Sequence, residues 1–357
     1  MDLTDKHLLT LDPELDSLFK ERGLPKLPLP TQGNISFVRK GFHGAIQRFN
    51  NSAFCKAALG DESTTPTWTE ADHRVPIVGR NGISLRLYVP RKRPATGAPV
   101  LVFMHAGGWF MGDLDTEAFL CRVFCAKLGL LVVNVAYGLH PEVPFGVPQD
   151  DCIQALSWTA ANIEQYGGDL GSGFVVGGSS GGATWAAVGA HLWRDQQKQP
   201  SLTGCIFLAP IFTDAFVDGT GNLRFRYDHD TEYRSWGQCR DAPLMNEAMS
   251  NSIRELAHFD WASPLLTPFN FTNHQDLGAT YCAACGIDPW RDGAVLYIKE
   301  LQKANAPVRL DVYPGLPHCW WTTFPKIKAT QSWLTKTLDG MQWVLEQSKT
   351  VKHTARL

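Results

Sequence analysis

The sequence predicts an α/β fold: an eight-stranded, mostly parallel sheet flanked by helices, with a helical cap above it. Three observations carry this expectation. From residue 74 onward, short β-rich runs alternate with helical stretches, the pattern of a largely parallel sheet. A glycine-flanked serine, Gly178-Ser179-Ser180-Gly181-Gly182, directly follows the apolar run Gly173-Phe174-Val175-Val176-Gly177, as where a strand turns abruptly into a helix. Two stretches, 1–72 and about 212–270, break the alternation and read as material lying above the sheet.

In chain order, strands are expected at 74–78, 83–89, 100–105, 130–136, 173–177, 204–208, 279–284 and 308–313. The first two are joined by the short turn Gly79-Arg80-Asn81-Gly82, so the sheet should start antiparallel before becoming parallel. Helical patterns fall between the strands at 116–128, 148–166, 181–194, 293–304 and 329–348. Residues 1–72 read as helices and loops with several prolines, the Leu-rich start through Phe19 as an amphipathic helix; this is the expected N-terminal cap segment, with the main domain at 73–357. The 212–270 insertion is rich in Phe, Trp, Tyr and Asp, and long structured excursions above such a sheet are usually lids or specificity caps.

Composition narrows the function classes. The chain has 357 residues, 44% hydrophobic and 19% charged, which suits a large core. A net charge of −2 without basic or acidic runs argues against a nucleic-acid or anionic-membrane partner. No apolar stretch is long enough to span a bilayer, and the start lacks the order of a signal peptide. The nine cysteines show no disulfide framework, and Cys282-Ala283-Ala284-Cys285 has no second pair at zinc spacing, so no metal is expected. Reduced thiols fit a cytoplasmic protein, while the terminal Ala355-Arg356-Leu357 is a variant of the peroxisomal address.

The chemistry-bearing residues follow strands. Ser180, on its tight turn, would project above the sheet edge with a helix N-terminus behind it, the placement of a covalent nucleophile. In His105-Ala106-Gly107-Gly108-Trp109, two adjacent glycines can bring backbone amides close to a substrate oxygen, and the Gly181 amide would add a further donor. His105 itself suits a role in shaping that loop. Asp288, in Gly286-Ile287-Asp288-Pro289-Trp290-Arg291-Asp292, could orient a histidine; Asp292 competes but is better placed to cap the next helix. His318, after the final strand, completes the order Ser…Asp…His and is the natural general base for Ser180.

With these motifs in order over roughly residues 74–345, the chain resembles the α/β-hydrolase fold, specifically the hormone-sensitive-lipase-like carboxylesterases. That family shows H-G-G-G-aromatic, Y-R-L-A-P-E, G-D-S-A-G-G, D-P-L-x-D and Y-x-G-x-x-H-x-F segments. Here Tyr137-Gly138-Leu139-His140-Pro141-Glu142 stands at the second position, and Tyr313 to Trp320 at the last. The resemblance implies Ser180 as nucleophile, His318 as base, Asp288 as its orienting acid, and Gly107, Gly108 and Gly181 as oxyanion donors. Three departures stand out. Ala106 replaces a glycine, Ser179 replaces the aspartate beside the nucleophile, and Gly138 replaces an arginine, so a buried ion pair should be absent.

The expected activity is hydrolysis of a small-molecule ester with a short acyl group, without cofactor, falling below about pH 6 as the base protonates. A compact apolar pocket is expected, with Trp109 and Ser179 beside it. An acyltransferase, lactonase or cyclase using the same site is the alternative, and a ligand receptor the next. The resemblance, through the family's tendency to pair by the last strand, is compatible with a homodimer and goes no further.

Overall fold

The structure, a computed structural model, describes residues 6–60 and 64–354. Its strands are β1 (Trp68–Ile77), β2 (Arg80–Pro90), β3 (Val100–Met104), β4 (Leu131–Ala136), β5 (Phe174–Ser179), β6 (Gly204–Leu208), β7 (Ala215–Val217), β8 (Leu223–Phe225), β9 (Ala279–Ile287) and β10 (Val308–Pro317). Eight of them form one sheet in the order β1-β2-β4-β3-β5-β6-β9-β10, and β7 and β8 form a separate hairpin. The β1–β2 and β2–β4 pairs are antiparallel and the remaining pairs of the large sheet are parallel. The fold class is therefore the expected one.

The main differences lie at strand ends. β1 begins at Trp68, so the expected boundary after residue 72 falls inside a strand. After the buried Trp68, residues 69–72 are exposed and show no apolar alternation; pairing with β2 holds them, reinforced by Arg86 Nε on Asp72 at 2.6 Å. β9 and β10 run on to Ile287 and Pro317, which brings Asp288 and His318 to the same edge of the sheet.

Central strands are buried on both faces, as parallel strands between helical layers must be. Side chains alternate along a strand, so β3 sends Val100, Val102 and Met104 into one core and Leu101 and Phe103 into another. The helices are α1 (Pro13–Arg22), α2 (Ile35–Asn50), α3 (Ala53–Leu59), α4 (Ala118–Leu128), α5 (Val147–Asn162), α6 (Gly181–Asp195), α7 (Ser235–Gln238), α8 (Glu247–Ala257), α9 (Arg291–Lys303), α10 (Trp320–Thr323) and α11 (Lys328–Thr354). The first core takes α5, α6 and α9 residues such as Leu156, Trp185 and Leu296; the second takes Phe119 and Phe124 of α4 and Trp333 of α11. Cys282 and Cys285 lie buried on opposite faces of β9, and none of the nine cysteines is joined in a disulfide.

The 212–270 stretch is not purely helical: it contains the β7–β8 hairpin as well as α7 and α8. It is pinned to the sheet domain through Asp292. That residue does not cap α9; the cap position is Trp290, and Asp292 sits in the first turn with its carboxylate on the Ser235 amide (2.7 Å) and on Arg291 Nε (2.7 Å). Both charges are fully buried, and Arg291 also donates to the Gly286 carbonyl (2.9 Å) and Gln238 Oε1 (2.5 Å). Two buried charges need such satisfaction on every side, so the joint between insertion and sheet domain is geometrically demanding.

Among the described residues no helix is long and apolar enough to cross a membrane. The Ala355-Arg356-Leu357 tripeptide lies outside the described residues.

Candidate active site

β5 ends at Ser179, α6 begins at Gly181, and Ser180 between them adopts φ 54°, ψ −125°. This left-handed backbone is strained for a residue with a side chain and persists only where its surroundings hold it. The Ser180 amide donates to the Leu208 carbonyl at 2.8 Å, tying the turn to β6. Gly182 packs so closely on the ends of β3 that a Cβ there would strike the Met104 and His105 carbonyls. Sequence and geometry agree here: only glycine fits this contact.

The turn aims Ser180 at His318. The serine Oγ lies 2.8 Å from His318 Nε2, and His318 Nδ1 lies 2.6 Å from Asp288 Oδ2. The other Asp288 oxygen accepts the Trp290 amide at 3.0 Å, which fixes the carboxylate plane. All three side chains are buried. Burial disfavours charge on His318, but the Asp288 carboxylate beside it outweighs that and raises the imidazole well above its usual 6.5. Asp292, the rival acid, is occupied by Arg291 and Ser235.

Beside Ser180, the loop after β3 turns through Gly107 (φ 136°) and Gly108 (φ 58°), and the Gly107 carbonyl accepts the Met111 amide at 2.9 Å. A side chain at Gly107 would strike the Met111 carbonyl. The Gly107 and Gly108 amides donate to no described residue. Gly181 is the first residue of α6, where an amide has no partner one turn back within the helix. His105 lies beneath the loop, stacked on Tyr137 at 4.1 Å, with Nδ1 2.7 Å from the Ala106 carbonyl. Burial depresses its pKa to about 4, so it is neutral at neutral pH.

Two pocket expectations are corrected. Trp109 does not line the cavity over Ser180. Its indole is buried behind the loop, where Nε1 donates to the Gly181 carbonyl at 2.9 Å and the ring meets Trp185 and Phe259. Trp109 thus clamps the glycine loop to the start of α6. Ser179 is also fully buried and faces inward, because alternation along β5 puts it opposite the pocket side.

Two residues escaped the sequence reading. Glu117, just before α4, is buried with Oε1 3.2 Å from the Ala106 amide. Burial raises its pKa to about 7, while the Ala106 amide and the nearby Ser179 hydroxyl favour the charged form. The Ser179 hydroxyl is close enough to influence Glu117, although it makes no hydrogen bond of ordinary geometry. A carboxyl group therefore lies behind the nucleophile turn despite the Ser179 replacement. The signal was an acidic residue directly preceding the apolar run Ala118-Phe119-Leu120, which reads equally well as a helix start. Arg80 is the second. It pairs with Asp150 and with buried Asp151, which also accepts the Gly138 amide at 2.7 Å. The expected loss of an ion pair through Gly138 does not occur, because β2 supplies the guanidinium.

Above Ser180 and His318 opens a cavity of about 520 Å³. Its walls are largely apolar: Val38, Phe42 and Ile46 of α2, Phe110 and Met111 after the glycine loop, and Met249 and Ile253 of α8. Arg39 anchors α2 over it, donating to the Phe110 (2.6 Å) and His140 (2.9 Å) carbonyls and pairing with both Glu142 oxygens. No group of three or more His, Cys, Asp or Glu among the described residues could hold a metal ion.

A family model described as the alpha/beta hydrolase fold matches residues 101–322, and the chain belongs to that family. An AB hydrolase superfamily protein of Schizosaccharomyces pombe is 30% identical over 354 residues, covering 98% of each chain. A versiconal hemiacetal acetate esterase of Dothistroma septosporum is 31% identical over 271 residues, 75% of this chain and 80% of that one. The crystal structure of vibralactone cyclase superposes with a TM-score of 0.81 at 26% identity, covering 96% of this chain and 97% of that one. Membership agrees with the expected class, an ester-acting hydrolase.

Removing the Glu117 acceptor leaves the Ala106 amide without its partner in a part-buried site. Glu117→Ala should cost about 1–3 kcal/mol, and Glu117→Gln, which keeps an acceptor oxygen, distinctly less. Urea unfolding of the two variants checks this; equal losses would dissociate the effect from the amide.

Proposed function

We propose that this chain is a serine esterase working through an acyl-enzyme on Ser180, with His318 as general base and Asp288 as its orienting carboxylate. The observation that carries the reading is the unbroken line Ser180 Oγ, His318 Nε2, His318 Nδ1, Asp288 Oδ2 at 2.8 and 2.6 Å on the floor of an apolar cavity.

In this reading Ser180 Oγ attacks the ester carbonyl while His318 Nε2 takes its proton. The carbonyl oxygen becomes an oxyanion and meets the Gly107, Gly108 and Gly181 amides, which are positioned before charge develops. Collapse breaks the ester C–O bond, and the departing alcohol receives the proton from His318. Water then repeats the cycle on the acyl-enzyme, releasing the acid and restoring Ser180.

The cavity is apolar as expected but not compact. Its 520 Å³ lies within the range of pockets for drug-sized ligands, so a short acyl group leaves most of it to the alcohol half. The Dothistroma relative's name, which specifies an acetate, supports that division. The likeness to vibralactone cyclase supports a second reading in which an internal nucleophile replaces water. Product analysis separates the two: hydrolysis yields free acid, cyclisation a lactone. A mere receptor is disfavoured by a base held within hydrogen-bonding distance of the nucleophile.

Hydrolysis of p-nitrophenyl esters from acetate to laurate should be fastest at the short end. Ser180→Ala should reduce turnover at least ~10³-fold without unfolding the protein. Activity retained in that variant would remove the nucleophile from the mechanism.

The pH profile tests the base. His318 acts only when neutral, and Asp288 raises its pKa. The loss of kcat/KM on acidification should therefore begin above the ordinary imidazole value, higher than the sequence alone suggests. A profile flat between about pH 5 and 8 would contradict the assignment.

A further inference from the structure

We propose that Glu117 is a positioning residue for ester cleavage: through the Ala106 amide, its side chain sets where the Gly107 and Gly108 amides stand to meet the oxyanion. The inference rests on the serine-esterase reading and adds to it a residue outside the triad and the oxyanion donors.

Glu117 occupies the N-cap position of α4, where a short polar side chain ordinarily bonds back to the first amides of its own helix. Its side chain makes no such bond. It reaches instead to a residue eleven positions earlier, where Oε1 accepts the Ala106 amide at 3.2 Å. Glu117 is only 6% exposed, and no cationic side chain of the described residues pairs with it. Burying an acid without a cation is unfavourable, and so is leaving a helix start uncapped. Local rules broken together at one residue are expected where function requires them to be.

The Ala106 amide is the point that this arrangement serves. Downstream of the two donor glycines, the loop is anchored several times over. The Gly107 carbonyl takes the Met111 amide at 2.9 Å, Trp109 Nε1 donates to the Gly181 carbonyl, and Arg39 holds the Phe110 carbonyl at 2.6 Å. Upstream, the Ala106 carbonyl meets His105 Nδ1 at 2.7 Å, but His105 is its chain neighbour and travels with it. Glu117 is the upstream anchor that comes from another element. The chain between them folds back tightly, since a Cβ on Gly112 would strike the His105 ring and the Ala106 carbonyl.

Oxyanion donors act only from the right place, about 3 Å from the oxygen as charge develops on it. A displacement of about 1 Å can cost ~10²-fold in rate. With the downstream anchors still in place, loss of Glu117 should cost less, about 10-fold. Accepting an amide requires a lone pair and not a charge, so glutamine can take over the role.

Two rates on full-length protein, shown folded by circular dichroism, test this: hydrolysis of p-nitrophenyl acetate, and phosphonylation of Ser180, whose phosphoryl oxygen takes the oxyanion position. Glu117→Ala should lower kcat/KM about 10-fold and slow phosphonylation by a like factor, while Glu117→Gln stays within about 3-fold of wild type. Where Glu117→Ala does not fold, Glu117→Asp, which draws the acceptor back by one methylene, carries the same expectation. A purely structural role would lower the urea midpoint of Glu117→Ala and leave both rates per folded molecule unchanged; that result would overturn the proposal. So would Glu117→Gln as slow as Glu117→Ala, which would assign the effect to charge. A wild type that forms no adduct on Ser180 removes the esterase reading and the proposal with it. An adduct whose rate ignores Glu117 removes the proposal alone.

Discussion

The left-handed backbone at Ser180 is the constraint on which the candidate site depends. A residue with a side chain in that conformation costs about 1–3 kcal/mol, which the surroundings must offset. They do so through the β5 ladder, the Ser180 amide on Leu208, and the contact of Gly182 with the β3 carbonyls. That last contact has a further consequence. Because the start of α6 rests on the end of β3, the loop leaving β3 emerges beside the helix N-terminus. Gly107 and Gly108 are thereby brought next to Gly181, and the Trp109 indole on the Gly181 carbonyl holds them there.

Outer layers repeat this arrangement with side chains. Arg39 ties α2 to the Phe110 and His140 carbonyls and to Glu142, so the helix that walls the cavity is fixed to the same loop. Asp292 and Arg291 fix the insertion to the loop that carries Asp288. Departures from the family's motifs are offset in space rather than in sequence. Arg80 from β2 reaches Asp151 where Gly138 offers no guanidinium, and Glu117 brings a carboxyl behind Ser179. Both offset residues are distant in the chain from the motif they complete.

That distance explains what could be read in advance. The alternating elements and the three motifs are local patterns, and they led to the sheet and to Ser180, Asp288 and His318, which the fold brings together. The polar half of β1 was missed because its pairing with β2, not an apolar pattern, makes it a strand. Trp109 was misplaced because an aromatic beside a glycine loop looks alike from the sequence whether it faces the pocket or the core. Only the positive φ at Trp109 (71°) and the indole bond to Gly181 decide that. Asp292 was misassigned for a similar reason: an acid near a helix start resembles a cap until a buried arginine claims it.

The central claim is that Ser180 is an activated nucleophile. Exposure to a serine-directed phosphonate, followed by intact-mass measurement and peptide mapping, tests it most directly. The account predicts a single adduct on the peptide containing Ser180, forming faster as pH rises through the His318 titration and far more slowly in His318→Ala. No adduct on a folded protein, or an adduct on another residue, would contradict it.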